Sequence, residues 1–182
     1  MPGLLSDFGL DAERVVRGVG LDPAVVSDPE SLIPIQTGGA LLSHCVAATG
    51  CQHFGLLAAK ASGSAALGLL GLACRNQPDV ESALRLLTEG LHADHPAAVT
   101  TLQLKDGFVQ LGYVLIEPEV QAADQIHDCA IGIATLLMRQ LCHPSWNPAQ
   151  LLLQRRRPAN PKPWQAFFRV TPEFDSEQSA IT

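Results

Sequence analysis

Two rhythms of hydrophobic and polar residues run along this chain, and the change between them marks its organisation. From Gln36 to Thr49, Leu41, Leu42, Cys45 and Ala48 recur at helical spacing, and Gly50 fits a C-terminal cap. A short helix is predicted over His53 to Ala61. Ahead of these, Asp11 is placed to cap a turn through Val15 and Val16, and Asp22-Pro23 to start another. Asp28-Pro29 and Ile33-Pro34 punctuate the exit from that region. Ala65 to Cys74 is apolar and rich in small residues, and length does not decide between a buried strand and a buried helix. Val80, Leu84, Leu87 and Leu91 fall on one face, which predicts a helix over Pro78 to Leu91.

The period then shortens to two. Leu102 and Leu104 alternate with polar neighbours, and Val109, Leu111, Tyr113 and Leu115 do the same after Asp106-Gly107. An Asp-Gly pair between alternating runs predicts an antiparallel hairpin. Helical spacing returns from Glu119 to Cys142 with the stripe Val120, Ala123, His127, Ala130, Ala134, Leu137 and Leu141. From Cys129 to Met138 this segment is apolar nearly all round, so it should be central and buried. A strand at Leu151 to Leu153, a short aromatic helix at Trp164 to Phe168, and strand fragments at Phe174 and Ala180-Ile181 complete the pattern. The reading is a single α+β domain over residues 1–182: N-terminal helices, an antiparallel hairpin sheet and a long buried helix.

Composition narrows the function classes. The chain has 182 residues, of which 47% are hydrophobic and 16% charged, a globular and not a disordered balance. Twelve Lys and Arg against eighteen Asp and Glu leave a net charge of −6, so these residues alone make a poor nucleic-acid binder. Cys45, Cys51, Cys74, Cys129 and Cys142 form no CxxC pair and read as small core residues of a reduced, cytosolic protein. No basic region precedes an apolar run at the N-terminus, and Ala61 to Cys74 is too short to span a bilayer, so no membrane partner is expected.

The candidate chemistry is sparse. His44-Cys45 and Cys51-x-His53 lack the tight ligand pairs of a zinc site, so no metal is expected. Gly63, Gly68 and Gly71 lack the spacing and the Lys of a phosphate loop, and no cofactor is implied. GxSxG, HExxH and paired-carboxylate motifs are absent from the sequence, which argues against an enzyme. Asp124 and Asp128, beside Gln121 and Gln125, read as a solvated helix face. Arg155-Arg156-Arg157 reads as a solvated strand end, with contact to an anionic effector or an adjoining domain as the alternative. His127 is the informative residue. It interrupts the most apolar helix, where an imidazole must find a hydrogen-bond partner or meet a ligand.

Several short motifs follow one another in a recognisable order: Leu21-Asp22-Pro23 with Ile33-Pro34; Thr49-Gly50 and His53-Phe54-Gly55-Leu56; Leu67-Gly68 with Leu70-Gly71; Pro78 with Ser82-Ala83-Leu84; the hairpin; and Phe167-Phe168 with Phe174 and Ala180-Ile181. Taken together they resemble the N-terminal effector-sensing domain of AraC/XylS-type bacterial transcription regulators, in the arabinose-binding branch. The chain departs from that pattern at Ser43, Cys51-Gln52, Leu72, Arg169 and Ser179, so the identity of the effector does not carry over. The resemblance implies a ligand-sensing, dimerising domain that binds a small-molecule effector and works as a homodimer. It implies DNA contact only through a C-terminal helix-turn-helix domain, expected in the full-length protein and absent from these residues. The expected pocket lies between the Glu119–Cys142 helix and the hairpin, with His127, His44, Tyr113 and Arg139 as candidate polar anchors. Arg139 is suited to a carboxylate. The alternatives are an effector-independent dimerisation module and, with less support, a small enzyme.

Overall fold

The computed structural model describes residues 2–27, 33–94, 97–105 and 107–182. Asp28-Pro29, His95 and Asp106 lie outside the described residues. Four short helices open the chain: α1 (Pro2–Asp7), α2 (Ala12–Arg17), α3 (Pro23–Ser27) and the longer α4 (Ile35–Thr49). Their caps follow the sequence. The Asp11 carboxylate accepts the Glu13 and Arg14 N–H groups, Asp22 accepts that of Ala24, and Gly50 ends α4 at a left-handed φ of 68°. Leu5, Val15, Val16, Leu41, Cys45 and Phe54 close a small core beneath these helices.

Phe54 begins α5 (Phe54–Ser62), which joins this core to the larger one, because Leu56 of the same helix packs into the latter. The ambiguous segment after it is helical: a 3-10 turn over Gly63–Leu67 and then α6 (Gly68–Arg75). By length and composition 54–75 is apolar enough to cross a membrane. Its backbone, however, leaves helical geometry at Gly63 and Gly68, where φ is 60° and 52°. Helix α7 (Val80–Asp94) then leads into β1 (Ala98–Lys105) and β2 (Phe108–Leu115).

The hairpin pairs Ala98 with Leu115 through to Lys105 with Phe108, with Gly107 at a φ of 81° in the turn. This register puts Ala98, Thr100, Leu102 and Leu104 on one face with their partners Leu115, Tyr113, Leu111 and Val109. After α8 (Ala123–Leu141) come β3 (Leu151–Leu152), α9 (Lys162–Phe168) and β4 (Ser179–Ile181). The sheet order is β1-β2-β4-β3, all antiparallel, with β4 inserted between β2 and β3. Phe174 lies outside the strands, and its ring meets Trp164 edge-on at 6.1 Å.

Helix α8 starts at Ala123, four residues after the predicted start at Glu119. Glu119 and Ala122 adopt left-handed φ values of 56° and 49°, which stop the helix. The turn they make lays the Gln121 carbonyl against Gly39 of α4, where no side chain fits. From Gln125 to Asp128 α8 is enclosed. Gln125, Ile126, His127 and Asp128 are buried in succession, so every face of that turn is covered. Close approach of α5 makes this possible. A Cβ at Gly55 would land on the Gln125 carbonyl oxygen, and one at Gly132 would lie 2.7 Å from the Ala59 Cβ. The Gly55 N–H donates to the Gln125 Oε1 at 2.9 Å, and the Gln125 Nε2 donates to the Gln52 carbonyl at 2.9 Å, stitching the two helices together. Since the neighbour at Gly55 is backbone, Gly55→Ala should destabilise the fold by about 1–3 kcal/mol. The expected result is a lower urea midpoint with an unchanged m-value.

Candidate functional site

A cavity of about 230 Å³ lies between α8, the hairpin and the α6–α7 pair. Ala130, Ile131, Ile133 and Ala134 of α8 form one wall, and Ala98, Thr100, Leu111, Gly112 and Tyr113 of the hairpin form the opposite one. Leu67, Leu70, Leu87 and Leu91 close the remaining side. Alanine at two positions one helical turn apart is what leaves the space, since a larger side chain at either would enter it. Thr100 and Tyr113 are directly paired across the strands, so their side chains stand next to one another on the cavity face. Neither hydroxyl has a hydrogen-bond partner among the described residues. Burial, with Cys129 as the lesser cause, pushes the Tyr113 phenol up to about 12, so it is a neutral hydroxyl at physiological pH.

His127 does not line this cavity. It stands behind it, with its ring edge-on to Tyr113 at 5.6 Å. Its Nδ1 shares a hydrogen bond of 2.8 Å with the Ser179 hydroxyl of β4, which also accepts the Gln154 N–H at 3.1 Å. His127 is 4% exposed, and burial lowers its pKa from the usual 6.5, so the neutral imidazole is favoured. The other two predicted anchors sit elsewhere. His44 is an exposed residue of α4 beside Gly18. The Arg139 guanidinium donates to three carbonyls, those of Trp146, Phe167 and Phe168, at 3.1, 3.0 and 3.2 Å. A cation there completes the C-terminus of α9, where unpaired carbonyls accumulate. The structure therefore brings Tyr113 and His127 together and keeps His44 and Arg139 apart from them.

On the far side of α8 lies a buried polar cluster that the sequence reading missed. Asp128, expected on a solvated face, is fully buried. Its Oδ2 accepts from the Arg155 Nη1 and, at 2.9 Å, from the Trp164 indole N–H. Arg155, expected at a solvated strand end, is 7% exposed, and its guanidinium carbon lies 4.3 Å from the Trp164 ring centroid. Its Nη2 also meets half-exposed Asp124 at 3.2 Å. Arg156 and Arg157 remain exposed. A signal was present: Leu151, Leu153 and Arg155 share one side of an extended run, and the first two are buried. The cysteines divide in a similar way. Cys45 and Cys74 are buried, Cys51 and Cys129 partly so, and Cys142 is exposed at the end of α8.

A second, larger hollow of about 440 Å³ opens at the hairpin tip, between the start of α7 and the β1–β2 pair. Leu104 stands 79% exposed at its edge. Its charged residues, Glu81 and Arg85, pair with each other at 2.8 Å along exposed helix.

An apolar cavity between a buried helix and a sheet, open on one side and carrying two hydroxyls, is the kind of hollow that takes a small molecule. The family model for the arabinose-binding domain of AraC transcription regulators, N-terminal, matches residues 9–182, and the chain belongs to that family. It is a regulatory, ligand-sensing domain of a transcription regulator and not a family of enzymes. No curated protein gives a significant match to the chain.

Three outcomes follow from this geometry. Asp128→Ala leaves Arg155 buried beside a single, half-exposed carboxylate and should cost about 3–5 kcal/mol in denaturant unfolding. Arg139→Met should cost about 1–3 kcal/mol through the freed carbonyls, while leaving ligand-induced stabilisation unchanged. The third concerns pH. Burial is the largest influence on Asp128 and raises it from 3.8 to about 7, against the lowering by Arg155 and Trp164. A folded pKa above the unfolded one gives stability that is present in full below 3.8 and lost as pH rises through about 7. The stability difference between wild type and Asp128→Asn should accordingly be larger at pH 5 than at pH 8. His127 and His53, both lowered by burial, act in the opposite sense but are common to the two proteins.

Proposed function

We propose that this domain senses a small molecule in the cavity between α8 and the hairpin and passes its occupancy to an attached DNA-binding domain. The observation that carries the reading is the pair of hydroxyls, Thr100 and Tyr113, facing an apolar cavity with no protein partner. The cavity is open to solvent on one side, so a ligand that displaces water from these two half-buried hydroxyls must offer them a partner in its place. Tyr113 and Thr100 are the anchors, and His127 holds the Tyr113 ring from behind through its own bond to Ser179. His44 and Arg139 take no part in binding on this reading.

The effector must favour one of two arrangements of the domain, since a ligand with equal affinity for both shifts nothing. A homodimer in the cytoplasm fits this role, because two-fold symmetry would present two DNA-binding domains to two half-sites.

The test is thermal unfolding of the protein against a panel of sugars, amino acids, carboxylates and neutral alcohols and phenols. A compound that binds only the folded state at about a hundred times its dissociation constant adds roughly 2.7 kcal/mol. A saturable rise in midpoint from any one class is the expected outcome. A midpoint that no compound moves, and that rises with protein concentration, would replace this reading with an effector-free dimerisation module.

A further inference from the structure

The lining of the α8–hairpin cavity specifies more than its volume. Its wall is leucine, isoleucine, alanine and glycine except at Thr100 and Tyr113. Among the described residues no Asp, Glu, Lys, Arg, His, Asn or Gln side chain lines it. A sugar carries a hydroxyl on nearly every carbon, and two protein hydroxyls cannot pair them all. Each polar group stripped of water and left unpaired weakens binding. A carboxylate or an ammonium fares worse, because burying an unpaired charge costs far more than burying a hydroxyl. The cations nearest in kind are already engaged. Arg139 holds three carbonyls and Arg155 holds Asp128. Volume sets the remaining limit. A dry apolar cavity of about 150 Å³ admits benzene, and this one measures about 230 Å³.

We infer that the cavity takes a neutral, mostly apolar molecule about the size of a substituted benzene ring, with one or two hydroxyl or carbonyl groups for Thr100 and Tyr113, and that it excludes free sugars, carboxylates and amines. This rests on the reading of the cavity as the effector site. The Thr100–Tyr113 pair sits on the sheet wall, opposite Ala130 and Ala134, so the polar end of the ligand lies against the hairpin and its apolar body against α8.

The experiment compares p-cresol, cyclohexanone, L-arabinose, benzoate and benzylamine by thermal unfolding and calorimetry. The proteins are wild type, Thr100→Val, Tyr113→Phe and two cavity-filling variants, Ala134→Phe and the milder Ala130→Leu. Circular dichroism and cooperative unfolding establish that each is folded. The expected result is that p-cresol or cyclohexanone binds wild type, that each hydroxyl deletion weakens binding about threefold to tenfold, and that filling the cavity abolishes it. L-Arabinose, benzoate and benzylamine leave the midpoint unmoved. Saturable binding of L-arabinose, benzoate or benzylamine that Ala130→Leu or Ala134→Phe removes would overturn the ligand class and leave the cavity standing as the site. Binding of any probe undiminished in a folded cavity-filling variant would overturn the site itself. Failure of both neutral probes to bind folded wild type would overturn the ligand class.

Discussion

The turn of α8 from Gln125 to Asp128 has no solvent face, and most of the domain is arranged to cover it. Helix α5 lies against one side, strands β2 and β4 of the sheet against another, and α9 against a third. A helix enclosed in this way must satisfy every polar side chain it carries from inside the protein. Gln125 does so with the backbone of Gly55 and Gln52, His127 with Ser179, and Asp128 in part, since Arg155 and Trp164 both meet its Oδ2 and its Oδ1 is left without a hydrogen bond. Each of these partners comes from a different part of the chain. Three separate regions, 52–55, 155–164 and 179, are thereby tied to one turn of helix. The polar residues of α8 fix where the surrounding elements dock, and the apolar ones supply the area that makes docking favourable.

Small residues on α8 have opposite effects on its two sides. Gly132 lets Ala59 of α5 come within contact distance of α8, and a side chain at Gly132 would have no room between the helices. Ala130 and Ala134 face the hairpin across a wider gap, and there the same economy of side chain leaves a cavity. The difference lies in what stands opposite. A helix can slide inward until backbones touch, whereas the sheet is held off by Tyr113, Leu111 and the leucines of α6 and α7. An apolar void of this size forfeits dispersion contacts on its lining.

The elements themselves were legible because period and capping are local properties. The hairpin, α4, α7 and the body of α8 follow from spacing alone, and Asp11, Asp22 and Gly50 cap as their neighbours require. The candidate site was legible only in part. Tyr113 and His127 could be named because one alternates into the sheet face and the other interrupts an apolar stripe. Thr100 carried no such signal until the register paired it with Tyr113. Arg139 and Arg155 could not be assigned, since helical or strand periodicity gives the face of a residue and not what lies across from it. Arg139 needed the end of α9, 28 residues away, to find its carbonyl at Phe167. Asp128 and Arg155 each read as solvated when considered alone, and only their meeting over 27 residues makes burial of either tolerable. The left-handed turn at Glu119–Ala122 likewise depends on the approach of Gly39, more than eighty residues earlier in the chain.

A cavity can report its occupancy only if some of its walls are free to move. Here the α8 wall is the least free, because the hydrogen bonds of Gln125, His127 and Asp128 hold it from three directions. Helices α6 and α7 and strand β1 form the rest of the enclosure. Strand β1 is the sheet edge, paired on one side alone, and α6 is bounded by the non-helical Gly68 and carries Leu69 at 80% exposure. Elements with few buried contacts open at lower free energy than those at the centre of a core. Helix α7, which carries Ala83, Leu84 and Leu87 of the main core, is held much as α8 is, so among these walls the edge strand β1 and the exposed side of α6 are the ones with room to give.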